Sequence, residues 1–115
     1  MKNKILIQRA DRLGDVILST PVIETLKQKF PNCELHVLTS KIGSEYLKQH
    51  PLVNKVIVVD WAMKPWFVEY KKVIKGIRKE SYDVYISLWN DPWMAWLGWL
   101  SGIKVRIGDA SNITL

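Results

Sequence analysis

Short apolar runs alternate with longer stretches whose apolar positions recur every three or four residues. The run at 4–8, built on Ile5-Leu6-Ile7, is too short for a helix and predicts a strand. From 15 to 30, Val16, Thr20, Ile23, Leu26 or Lys27, and Phe30 fall close to a 3.6-residue period. That predicts a helix, which Pro31-Asn32 ends. Further strands are predicted over 34–39, 55–59, 83–88 and 104–107, and helices over 43–50, beyond Trp66 and over 92–101. The helix beyond Trp66 sets Phe67, Tyr70, Ile74 and Ile77 on one face and Lys71, Lys72, Lys75, Arg78 and Lys79 on the other. The last strand carries Val105 and Ile107 on one side, Lys104 and Arg106 on the other. Pro21 lies six positions after Asp15, where a proline lacks a donor and crowds the preceding turn. One bent helix starting near Gly14 fits; the alternative is a helix that begins at Pro21 with Thr20 as its cap.

Strands separated by helices imply βαβ units and a parallel sheet. Right-handed crossovers favour an open, doubly wound, Rossmann-like α/β sheet of strand order 3-2-1-4-5. Such a sheet ending on its fifth strand leaves a bare edge. The chain is therefore expected to be the front part of something longer.

Composition narrows the picture. With 115 residues the chain is one small domain or part of a larger one, and 48% apolar residues suffice for a packed core. Seventeen Lys and Arg against eleven Asp and Glu leave +6, which favours an acidic partner. Nucleic acid would suit the charge, but no nucleic-acid reading module is present, so none is expected. A single cysteine, Cys33, excludes an internal disulfide framework and a four-thiolate metal site. The apolar run after Met1-Lys2-Asn3-Lys4 is shorter than the roughly 7–15 residues of a secretion signal. The longest uncharged run, Pro92 to Ile103, falls short of the about 20 residues that span a bilayer. The chain reads as soluble and cytoplasmic.

In open α/β sheets, ligands bind beyond the carboxyl ends of the strands, where strand order reverses. For order 3-2-1-4-5 the crevice falls between strands one and four. The segments meeting there are Arg9-Ala10-Asp11-Arg12-Leu13-Gly14-Asp15 and Trp89-Asn90-Asp91. A helix start holds anions, Arg9 and Arg12 would add bidentate contacts, and Asp15 would stay ionised and ready to accept a proton. The plainer alternative makes Gly14 a turn, Asp15 a helix-end stabiliser and the arginines solvated. Neither G-x-G-x-x-G nor G-x-x-x-x-G-K-[ST] occurs, which disfavours nicotinamide enzymes and nucleoside triphosphatases.

Residues 5–21, Ile5-Leu6-Ile7-Gln8-Arg9-Ala10-Asp11-Arg12-Leu13-Gly14-Asp15-Val16-Ile17-Leu18-Ser19-Thr20-Pro21, resemble the opening of glycosyltransferase family 9, the heptosyltransferases of the lipopolysaccharide inner core. Tyr82-Asp83-Val84-Tyr85-Ile86-Ser87-Leu88 and Gly102-Ile103-Lys104-Val105-Arg106-Ile107-Gly108 resemble two later family segments in register. The resemblance implies the N-terminal half of a GT-B fold, with residues 1–115 as its acceptor-side domain and the C-terminal donor-binding domain absent. It implies metal-independent, inverting sugar transfer from a nucleotide-sugar, ADP-heptose in most relatives, to a lipid-linked acidic saccharide. No resident cofactor and no metal are implied. By the same resemblance Asp15 is the catalytic base and Lys64, in Lys64-Pro65-Trp66-Phe67, contacts the acidic acceptor. Arg9 and Arg12 are further candidates for acceptor contacts, with Asn90 and Asp91 at the rim. The chain departs from the family where relatives carry Asp-Leu-Gln-Gly and it has Ser87-Leu88-Trp89-Asn90. Without a donor-binding half, the chain alone is not expected to turn over. The alternatives are a non-catalytic module that binds an anionic ligand and an inactive, truncated remnant.

Six tryptophans are heavy use. Trp93, Trp96 and Leu100 share a helical stripe with Leu97 beside them, which predicts packing in the core or at a domain interface. The alternative is contact with a lipid-linked acceptor at an anionic inner-membrane surface, which would make the protein peripheral there; the basic face after Trp66 carries the same alternative to a solvated role. Trp61 and Trp66 flank Lys64, either lining an acceptor pocket or anchoring a loop. His36 and His50 have no partner at metal-ligand spacing and are expected to be structural or exposed.

Overall fold

The computed structural model describes residues 4–9, 20–59, 66–88 and 92–107, with side chains for all of these except 66 and 92–95. In chain order the elements are β1 (Lys4–Arg9), α1 (Thr20–Lys29), β2 (Glu34–Thr39), α2 (Lys41–Leu47), β3 (Lys55–Val58), α3 (Trp66–Glu80), β4 (Val84–Ser87), α4 (Pro92–Leu100) and β5 (Val105–Ile107). The strands form one parallel sheet in the order β3-β2-β1-β4-β5, as the alternation of elements predicts.

The winding follows from the pleat. Successive strand side chains point to opposite faces, and β1 is buried on both. Ile5 and Ile7 pack with Leu35 and Val37 of β2, Ile23 of α1 and Leu47 of α2. Leu6 packs on the opposite face with Leu38, Tyr85, Leu97 of α4 and Tyr70, Val73 and Ile77 of α3. Helices α1 and α2 thus cover one face of the sheet and α3 and α4 the other. Leu6, Ile7, Leu35 and Leu38 are each 1% exposed or less, and burying such a side chain contributes about 1.5–3 kcal/mol.

Element ends differ from the sequence pattern where local hydrogen bonds decide. Helix α2 starts two residues earlier than predicted because the Ser40 hydroxyl caps it, accepting from the Gly43 N–H at 3.3 Å. Thr20 is already helical, so it does not serve as the cap of a helix beginning at Pro21; residues 14–19 lie outside the described residues. Helix α4 closes on a Schellman turn. Gly102, at φ +79°, donates to the Trp99 carbonyl at 3.1 Å, and Ile103 donates to the Gly98 carbonyl at 3.2 Å. That turn sends the chain into β5.

Two side-chain placements correct the sequence pattern. Phe67, expected on the inward face of α3, is exposed, and Val73 takes the core position instead. Trp96, expected in the core or at a domain interface, is not in the core of the described residues: it stands exposed together with Trp99, while Leu97 is buried. Val105 and Ile107 are exposed, with Arg106 turned to the more sheltered side.

A polar knot ties the amino-terminal ends of the strands. His36, 2% exposed, is bonded through Nε2 to Glu34 Oε2 at 2.6 Å and through Nδ1 to the Tyr82 hydroxyl at 2.6 Å. A carboxylate only accepts, so Nε2 donates to Glu34, and in the neutral imidazole Nδ1 accepts from Tyr82. Glu80 takes hydrogen bonds from Lys4 and Lys55, each at 3.3 Å. The Lys55 bond holds the Glu80 carboxyl below its ordinary range, with Lys4 adding to the effect against the cost of burial. Burial pushes the Tyr82 hydroxyl up, and the charges of Glu80 and Glu34 push it further. His36 therefore does have neighbours at ligand distance: its ring and the carboxylates of Glu34 and Glu80 offer atoms within 4.8 Å of one another. Lys4 and Lys55 already bring positive charge to those carboxylates.

The carboxyl edge of the sheet as the candidate active site

All four strand ends that matter for a ligand lie along one edge, in spatial order β3, β2, β1, β4. Their last residues are tied sideways. The Val59 N–H donates to the Thr39 carbonyl at 2.9 Å, and the Thr39 hydroxyl donates to the Arg9 carbonyl at 2.9 Å. On the far side of β1, the Leu88 N–H donates to the Gln8 carbonyl at 2.9 Å, and Arg9 Nη1 donates to the Leu88 carbonyl. Strand order reverses between β1 and β4, so the switch point of the sheet falls between Arg9 and Leu88.

Chain continuity then places the candidate segments. The one carrying Arg12 and Asp15 follows directly on Arg9, and the one carrying Asn90 and Asp91 follows on Leu88, beside it. The one carrying Lys64 follows on Val59, two strands away along the same edge. Asp15, Arg12, Lys64, Asn90 and Asp91 themselves lie outside the described residues. Arg9 is described, and is half-buried. Its bond to the Leu88 carbonyl makes it a strap between the two strands at the switch point, a role the anion-contact expectation did not include.

Sequence reasoning also missed the floor of this edge. Gln8 and Ser87 sit opposite each other in the β1–β4 register, and the Ser87 hydroxyl donates to Gln8 Oε1 at 2.9 Å. Gln8 is fully buried, yet among the described residues its Nε2 finds no partner. A buried, unpaired donor costs about 1–3 kcal/mol. The available signal was a polar residue at the inward position of each of two neighbouring apolar strands. On the opposite face, the Thr20 hydroxyl and the Tyr46 hydroxyl meet at 3.3 Å and link α1 to α2.

No family model matches the chain. Lipopolysaccharide heptosyltransferase 3 of Escherichia coli strain K12 is 34% identical over 84 residues, 70% of this chain and 24% of that protein. A solved glycosyl transferase family 9 protein from Veillonella parvula DSM 2008 superposes with a TM-score of 0.84 at 23% identity, over 92% of this chain and 31% of its own. The chain is similar to the family 9 glycosyltransferases. The family 9 likeness extends to E. coli ADP-heptose lps heptosyltransferase II, with a TM-score of 0.79 and 26% identity over 94% of this chain and 30% of that one. The chain spans about a third or less of the length of these family 9 relatives. The neighbours share the parallel α/β sheet found here, so the family resemblance in the sequence and the fold it implied both hold.

Proposed function

We propose that the chain is the acceptor-side, N-terminal portion of a heptosyltransferase-type glycosyltransferase with a GT-B fold. The observation that carries this is the coincidence of two things. The chain matches heptosyltransferases over most of its length, and its β1–β4 switch point is where the segment bearing Asp15 departs. In this reading Asp15 accepts the proton of an acceptor hydroxyl as that oxygen bonds to the anomeric carbon of the donor sugar. The bond from that carbon to the nucleotide diphosphate breaks with inversion, and the diphosphate leaves. Arg12 and Lys64 hold the acidic acceptor, with Asn90 and Asp91 at the rim. Arg9 holds the β1–β4 floor and adds positive potential.

A further neighbour supports the donor class. The E. coli heptosyltransferase WaaC, with a TM-score of 0.77, was solved with ADP and with ADP-2-deoxy-2-fluoro heptose. An ADP-linked heptose is therefore the proposed donor, bound mainly by a domain outside these residues, and a lipopolysaccharide core saccharide the proposed acceptor. The setting is the cytoplasm, at the inner face of the membrane. Among the described residues, no helix is long and apolar enough to cross a membrane.

The test is sugar transfer by a form extended to the length of its relatives. Asp15→Asn lowers kcat on the order of 10²–10⁴-fold while acceptor binding persists. Transfer at an unchanged rate in that variant removes Asp15 from its role.

A further inference from the structure

Helix α3 has an outward face of uniform sign. Lys71, Lys72, Lys75, Arg78 and Lys79 are all exposed, and among the described residues no ion pair engages any of them. At 100° per residue they fall on one arc, centred opposite the buried Tyr70, Val73 and Ile77. Glu69 lies off that arc, in the groove beside β3 that Lys72 and Gly76 also line. Val68 lies on the same arc and Phe67 at its margin, both exposed, on the first turn.

The neighbouring helix adds apolar surface to the same layer. Helices α3 and α4 cover one sheet face, and on α4 the buried Leu97 turns Trp99 away from the sheet. Trp96 and Trp99 are both exposed and meet edge to face, ring centroids 6.4 Å apart. A solvated helix face explains the lysines. It does not explain four large apolar side chains held out beside them. Cations with interleaved aromatic and aliphatic groups fit a surface that is anionic outside and apolar beneath.

We infer that the outward face of the α3–α4 layer docks on an anionic lipid bilayer. The five cations meet the headgroups, while Phe67 and Val68 enter the acyl boundary. The orientation is useful. Because α3 follows β3, its first turn lies at the carboxyl edge of the sheet, and its last turn lies at the amino edge, where Asp83 bonds Lys4. Seating Phe67 in a bilayer brings the β1–β4 crevice to the membrane surface, where a lipid-linked acceptor would be presented. The inference deepens the proposed membrane contact and rests on it. Vesicle binding is read without sugar transfer, so the two fail separately.

The experiment is sedimentation of the whole chain with phosphatidylcholine vesicles, either neutral or with about a third phosphatidylglycerol. The expected result is binding to the anionic vesicles only, weakening as salt shortens the screening length. The triple variant Lys71→Gln, Lys75→Gln, Lys79→Gln binds on the order of a hundredfold more weakly. Phe67→Ser weakens vesicle binding but leaves binding to mixed-sequence duplex DNA unchanged. All substitutions are at exposed positions, and far-UV circular dichroism checks that each variant folds. Equal binding to neutral and anionic vesicles, or a triple variant that binds normally, overturns the inference. So does DNA binding as tight as vesicle binding with Phe67→Ser altering neither, which would make nucleic acid the partner.

Discussion

Gly98 sits inside α4, where glycine costs about 1 kcal/mol relative to alanine in helix propensity. Its reason for being there is Tyr85. A Cβ at position 98 would overlap Cδ2 of the Tyr85 ring and come within 2.9 Å of Cε2. The ring is fully buried in β4 among Leu6, Leu38 and Leu97, so it has nowhere to move. Overpacking of this kind costs about 1–3 kcal/mol, and the overlap here belongs at the upper end. Subtracting the helix gain leaves Gly98→Ala less stable by about 1–2 kcal/mol. Urea unfolding followed by far-UV circular dichroism reads this directly as a lower midpoint with an unchanged slope. Tyr85→Leu makes room, so the double variant should lose at least about 1 kcal/mol less than the sum of the two single losses. If Gly98→Ala is more stable than the parent, or the two losses simply add, the close approach of α4 to β4 is wrong. The stake is functional, because α4 begins immediately after the segment bearing Asn90 and Asp91.

Glu80, held ionised by Lys55 and Lys4, contributes stability that is present above the ordinary glutamate range and lost as pH falls through its lowered value; unfolding midpoints of Glu80→Gln measured from neutral to acid pH should show a shallower decline, and an identical decline would discount the knot. Replacing Gln8 by Leu together with Ser87 by Ala removes a buried pair whose Gln8 Nε2 has no partner among the described residues, so thermal unfolding should show stability unchanged or raised; a loss beyond about 2 kcal/mol would mean the pair supports the fold rather than the site. Gly102→Ala meets no atom but keeps a φ of +79°, so its unfolding free energy should fall by about 1 kcal/mol, and no change would argue against the Schellman turn.

The periodicities were enough for the sheet, because each strand is short, apolar and flanked by a turn signal, and β2 matches its predicted span residue for residue. The order of strands was legible for a different reason: right-handed crossovers leave few alternatives once five strands alternate with helices. Individual faces were harder to read. Phe67 matches the period of Tyr70, Ile74 and Ile77, but the groove beneath α3 is filled by Val73, one step round the helix. Trp96 does not reach the core, since among the described residues α4 has the sheet on one side only. His36 looked unpartnered because Tyr82 and Glu80 lie more than forty residues away in sequence and come beside it only through the parallel pairing. For the candidate site, topology located the edge from which the chemistry departs, and Arg9 alone among the candidates lies within the described residues. Hydropathy marks Gln8 and Ser87 as polar residues in apolar strands, but only the β1–β4 register shows that they face each other.

The histidine-centred knot has an effect on how such a domain can diversify. It fastens Lys4, Glu34, Lys55 and Tyr82, at the beginnings of β1, β2, β3 and β4, at the pole opposite the crevice. Cohesion is thereby supplied at one end of the sheet, and the proposed site lies at the other. Substitutions at the opposite edge therefore leave untouched the anchorage that keeps the strands in step.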